Sequence, residues 1–196
     1  MGMEMTADGF DDAVLGRGLD AAAETALAEA GRLRSLDPPG AMAALMRAQA
    51  LAPGHPAVLI AFYRHHFFGH RPAAARDVAR RALVVAARAL GLPTVWRELP
   101  RQPLPGARGD AGTRFLLFLL KGYAYLSLRL DDPLEARDAL AVLRALDPED
   151  CVGGALLEAV RVRALVGEDP DADGLPPVTG AAAWARATGE SAGTPR

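Results

Sequence analysis

At 196 residues and 51% hydrophobic content, the chain holds enough apolar material for one domain with its own core. Its formal charge of −2 conceals a basic middle, because residues 55–114 sum to +7 against −4 for residues 1–54 and −5 for 115–196. The scarcity of β-branched runs excludes a sheet protein, the lone Cys151 excludes an internal disulfide, and the longest apolar run, 115–120, is far shorter than the roughly 20 residues of a spanning helix.

Residues 1–18 are polar and glycine-containing and read as a flexible arm. Their start has no basic residue followed by an apolar run, so no secretory signal is expected and the expected location is cytoplasmic. Gly16-Arg-Gly-Leu-Asp-Ala21 imitates a dinucleotide-binding turn, but that chemistry needs a strand ahead of its glycines and none precedes them. Helical spacing of Ala23, Leu27, Ala30 and Leu33 then predicts a helix over 19–36, stopped by Asp37-Pro-Pro-Gly40. A second helix over 41–51 ends at Ala52-Pro-Gly54.

An aromatic helix over 55–69 and an alanine-rich helix over 72–90 form the next pair, divided by Gly69 to Arg71. Residues 91–113 read as an irregular insertion containing one further turn around Trp96, since 100–112 hold three prolines and three glycines. Thr113 is the expected cap of a central helix over 114–130, apolar on nearly all sides. Asp131-Asp-Pro133 turns the chain into a helix over 134–146. Asp150 is then the expected cap of a last helix over 151–166. Residues 167–196 are acidic and rich in proline and glycine, and read as a mostly irregular tail in which 181–187 form a short helix around Trp184.

Three helical pairs with prolines at their ends resemble tetratricopeptide repeats. Leu120, Tyr123, Ala124, Ala136, Leu140 and Pro148 in the last pair stand at patterned positions of that family, as do Ala41, Leu45, Ala48 and Pro53 in the first. Ser127 and Leu143 depart from it, where a large aromatic and an alanine are usual. The resemblance implies an all-α fold: a TPR-like α-solenoid of three antiparallel helical hairpins plus a C-terminal capping helix, spanning 19–166. More narrowly, His-Pro-Ala-Val-Leu-Ile-Ala-Phe-Tyr-Arg at 55–64, Phe-Phe-Gly-His-Arg at 67–71, Leu-Lys-Gly-Tyr-Ala-Tyr-Leu at 120–126 and Leu-Asp-Pro-Glu-Asp-Cys-Val-Gly-Gly-Ala-Leu-Leu at 146–157 resemble small proteins that accompany nitrogen-fixation genes. That group includes the nitrogenase-associated factor T. The resemblance implies a non-catalytic factor that binds the nitrogenase molybdenum–iron protein in a protective, maturation or repair role.

The residues themselves supply no catalytic motif: no phosphate-binding loop, no paired carboxylates in an apolar setting and no serine nucleophile pattern. Cys151 at a helix start has Glu149 and Asp150 beside it, which oppose a thiolate, and is read as a small buried residue. His66 and His70 stand four apart, but two imidazoles without a third ligand make a poor zinc site, so no metal and no cofactor is expected. A histidine-dependent metal carrier is the least favoured alternative and a general peptide-binding adaptor or co-chaperone the nearer one. The expected working surface is the inner face of the first helix in each pair. Phe118, Lys121, Tyr125 and Arg129 follow three- and four-residue steps and share one stripe, matched on the earlier pair by Tyr63 with either Arg64 or His66. No nucleic-acid motif interleaves the arginines, which read equally as a solvated face paired within the molecule or as a surface for an acidic protein partner; a protein partner is expected, with no membrane and no small-molecule substrate involved.

Overall fold

The computed structural model describes residues 7–166, with side chains described for 10–164. Among these residues the chain forms eight α-helices and one 3-10 turn, with no strand. No described helix is long and apolar enough to cross a membrane. The expected tail helix at 181–187 lies outside the described residues. Residues up to Arg161 form one compact unit; those from Val162 onward fall to a second, of which only the last turn of the final helix is described.

The first hairpin pairs α2 (Ala21–Leu33) with α3 (Pro38–Leu51). Asp20 starts α2 by accepting from Ala23 N at 2.7 Å, and Asp37 starts α3 by accepting from Gly40 N at 3.0 Å. Each satisfies an amide that the first helical turn leaves without a partner. Pro38 and Pro39 cost nothing here, since the first turn needs no donor from their nitrogens. Ala23, Ala26 and Ala30 face Ala41, Ala44 and Ala48 across the pair, all buried, so the absence of long side chains lets the two backbones approach.

The second hairpin pairs α4 (Pro56–Phe68) with α5 (Pro72–Ala89), and the third pairs α6 (Ala111–Arg129) with α7 (Pro133–Leu146). Helix α6 also packs extensively on α5, so it is covered on two sides and carries Leu116, Leu117, Leu120 and Leu126 fully inside. Its cap is Asp110, which accepts from Thr113 N at 2.6 Å, and not Thr113 itself. A carboxylate three residues ahead of the amide it receives fits the N-cap geometry, and the helix therefore opens earlier than expected. Asp132 caps α7 and receives Arg76 from α5 at 3.0 Å; the same guanidinium donates to Ser127 Oγ at 3.4 Å. Ser127 is fully buried, and its small side chain leaves room for Arg76 where the repeat pattern would place a large aromatic ring.

The irregular insertion is pinned to the core. Its 3-10 turn, Trp96–Glu98, buries Trp96 against Tyr123 at 5.6 Å, while Arg97 lies over Trp96 at 4.3 Å and pairs with Glu135. Tyr123 Oη donates to the other oxygen of Glu135 at 2.5 Å. Burial first and the Glu135 carboxylate second push the Tyr123 phenol up to about 12.

Helix α8 is Gly154–Val166 and begins three residues later than expected. Asp150, in the left-handed region at φ 55°, accepts from Ala155 N at 3.0 Å but stands four residues ahead of Gly154 and so is not the capping residue expected, because Gly153 at φ 72° turns the chain before the helix opens. At Gly154 a Cβ would stand 2.7 Å from Leu143 Cδ2. Leu143 and Gly154 are thus complementary in size, which accounts for a leucine where the repeat pattern favours alanine.

A helix also stands where the sequence reading places a loose arm. Helix α1 (Ala7–Val14) packs on α4 and α6, the first helices of the second and third hairpins, and buries Phe10 completely.

Candidate partner-binding face

Tyr63 and Tyr125 meet through a third ring. Phe67, one turn beyond Tyr63, stacks on it at 5.7 Å and lies 5.7 Å from Tyr125, and Phe68 contacts Phe67 edge-on at 5.4 Å. The three rings Tyr63, Phe67 and Tyr125 form a seam between α4 and α6. Phe67 escaped the sequence reading, although its i, i+4 spacing from Tyr63 was the available signal. The seam closes because α6 carries Gly122 at the contact: a Cβ there would lie 2.7 Å from Tyr63 Oη. Burial, and next Tyr125 beside it, raise the Tyr63 pKa above its ordinary value, so this phenol stays protonated.

The charged residues expected on this face divide into two kinds. Arg64 and Arg129 are exposed and form no ion pair among the described residues. Lys121 instead turns inward, its Nζ donating to Val152 O at 2.6 Å. Burial lowers its pKa, with Asp150 working the other way. Lys121 thus holds the turn before α8 and is not a solvated cation awaiting a partner. The same turn is held from its other side by the buried Asp147, whose carboxylate accepts from Cys151 N and Val152 N, both at 3.0 Å. Phe118 is half-buried beneath the Arg114 guanidinium, 5.7 Å from its ring, and packs on the core.

The histidines serve three different purposes. His55 caps α4: Nδ1 accepts from Ala57 N at 3.2 Å and Nε2 lies 3.1 Å from Arg17 O, which assigns the proton to Nε2. Burial lowers its pKa, partly offset by the bond to Arg17. His65 is buried, and His66 stacks on Phe62 at 6.4 Å with its Nδ1 enclosed and without a hydrogen-bond partner. Burial lowers the pKa of both, reinforced at His65 by Arg71 and Arg34, and at His66 by His65, Arg71 and Arg81. His70 lies beyond the end of α4, exposed, at φ 54°. His66 and His70 therefore do not share a helix face, and no group of three or more metal-binding side chains comes together among the described residues.

Cys151 is a free thiol in the turn before α8. Burial, then its hydrogen bond with Asp147, push its pKa up despite Arg108 nearby, so the group is held away from the thiolate. A cavity of about 410 Å³ opens between residues 103–109 and 146–149. It shares no residue with the aromatic seam, and its charged lining includes Arg108 and Glu149, already paired at 2.6 Å.

At the opposite end of α6 from Arg129, α1 covers the first turn. Asp11 Oδ1 accepts from Gly112 N at 2.7 Å and Oδ2 accepts from Ala111 N at 3.3 Å, beside the Asp110 cap. Phe10 lies 6.1 Å from Phe115. Gly112 makes the approach possible, since a Cβ there would fall 2.8 Å from both Asp11 Oδ1 and Phe10 Cδ1. Burial, then the Asp110 carboxyl, raise the pKa of Asp11. At Asp110 burial acts in the same sense, but hydrogen bonds with Thr113 and Asp11 outweigh it and hold its pKa low.

No protein-family profile matches this chain, and no solved structure does. One curated protein resembles it: an uncharacterized 19.8 kDa protein in the nifW 5′ region of Azotobacter chroococcum mcd 1 is 39% identical over 115 residues. The match covers 58% of this chain and 64% of the relative, so the chain spans less than two thirds of that protein's length.

Proposed function

We propose that this chain is a non-catalytic protein-binding factor of nitrogen fixation, built as a TPR-like α-solenoid, whose partner is the nitrogenase molybdenum–iron protein. The observation that carries the nitrogen-fixation part is the position of its relative in a nifW 5′ region. The solenoid part is supported by consecutive hairpins, with α3 packed on α4 and α5 on α6, so that neighbours in sequence are neighbours in space. A binding role is supported by the Tyr63–Phe67–Tyr125 seam, a block of rigid apolar area of the kind that anchors interfaces.

The charges point to an acidic partner surface. Arg76, Arg80, Arg97 and Arg108 in the basic middle are paired internally. Arg64, Arg71, Arg81 and Arg88 are exposed and make no ion pair among the described residues. Rim charges of this sort steer encounter and set salt dependence more than final affinity.

Affinity capture from a lysate of nitrogen-fixing cells tests the proposal. Selective recovery of the molybdenum–iron protein is the expected result. Recovery of chaperones or a broad set of peptides would favour the general adaptor instead, and stoichiometric uptake of zinc, iron or molybdate in equilibrium dialysis would favour the metal carrier.

A further inference from the structure

Helix α1 touches α4 and α6, the two helices that carry the aromatic seam, and neither of their hairpin partners to a comparable extent. Phe10 is fully buried against Phe115 of α6, in the apolar cluster that also holds Leu59 of α4. Asp11 meets the first-turn amides of α6 that the Asp110 cap leaves without a partner, accepting from Ala111 N and Gly112 N. An acidic two-turn helix with one aromatic anchor is therefore seated on the inner face as a bound peptide would be.

Its attachment to the rest of the chain is slight. An eight-residue helix is too short to persist in water without its docking contacts. The link that follows includes Leu15, 64% exposed, and Gly16 and Gly18 at φ 85° and 81°, with no neighbouring atom within 4 Å of where either Cβ would stand. The described holds on this link from the domain are the contact between Arg17 O and His55 Nε2 and the packing of the partly buried Leu19 against the apolar cluster around Ala26, Val58 and Phe62.

We infer that α1 is an internal ligand occupying a docking groove between α4 and α6, and that the external occupant is an acidic helical segment of a partner protein presenting an Asp next to a Phe. The inference rests on the reading of this chain as a protein-binding factor. The groove selects that chemistry through three features: the pocket that takes Phe10, the α6 amides that take a carboxylate, and Gly112, which keeps both within reach. A tethered segment acts at an effective concentration in the millimolar range, so an outside peptide competes only when α1 is weakened.

The test uses the full chain and a fluorescent peptide of residues 7–18, with no nitrogenase present, so its outcome is independent of the partner's identity. With Phe10→Ala and Asp11→Asn combined, the peptide is expected to bind at least about tenfold more tightly than to the unmodified chain, because the fraction of open groove rises. Equal affinity for both chains, or binding to neither, would overturn the inference. Should the double variant lose its helical circular dichroism, Phe10→Ala alone carries the test, since it removes the buried anchor of α1: a gain of roughly threefold supports the inference, and no gain sinks it.

Discussion

Lys121 is the residue whose surroundings most change its meaning. As the chain's lone lysine, on a stripe shared with Phe118, Tyr125 and Arg129, it reads as a partner-facing cation, yet its ammonium is partly buried and bonded to Val152 O in the turn before α8. Replacing it by Met leaves that carbonyl without its donor, at a cost of about 1–3 kcal/mol. The expected result is a lowered melting temperature, with faster amide exchange at 151–155. An unchanged melting temperature would return Lys121 to the surface role. Gly122 offers a second residue-scale test. Gly122→Ala gains up to about 1 kcal/mol of helix propensity, but forces Tyr63 aside at about 1–3 kcal/mol, so a net loss is expected. In a Tyr63→Phe background, which removes the crowded oxygen, the same substitution should cost measurably less; additive losses in the double-mutant cycle would contradict the contact.

The histidines predict how stability depends on pH. His55, His65 and His66 all have folded pKa values below the unfolded value near 6.5. As pH falls through that value the unfolded chain takes up protons that the folded chain refuses, so stability is complete above it and declines below it. The urea midpoint should fall between pH 7.5 and 5.5. His55→Asn keeps a good cap for α4 but does not titrate, and its midpoint should fall less over that interval.

At the scale of the element, hairpin boundaries were legible because proline, glycine and aspartate mark them directly: Asp37-Pro38 and Asp132-Pro133 each supply a cap and a first turn. Helix α1 was not legible. Eight residues with three aspartates and a glycine show little periodicity, and the helix exists because Phe10 and Asp11 find α6 about a hundred residues later. Gly112→Ala places a methyl group into both contacts while improving the propensity of the first turn of α6. The expected outcome is rapid amide exchange over 7–14 with α6 protection retained. Unchanged protection of α1 would show that its seat does not depend on that glycine.

Across the whole molecule, sequence identified the two faces that meet but not the residue that joins them. Tyr63 and Tyr125 were on the expected stripes, whereas Phe67 gains its role from the relative position of α4 and α6, which no local pattern encodes. Ser127 and Leu143 departed from the repeat pattern for similar reasons, one receiving Arg76 from another hairpin and the other filling the space above Gly154. Under the proposed role, the exposed Arg64 and Arg129, on the two helices that carry the seam, are the residues whose substitution is expected to alter partner binding without disturbing the fold.

The most direct test of the proposed role is equilibrium binding of the purified chain to purified molybdenum–iron protein, compared with an Arg64→Glu/Arg129→Glu double variant of unchanged melting temperature. The account predicts saturable binding by the unmodified chain and a loss of roughly tenfold or more in the variant, as expected for reversed charges at an interface rim. Absence of binding, or equal binding by both chains, would contradict it.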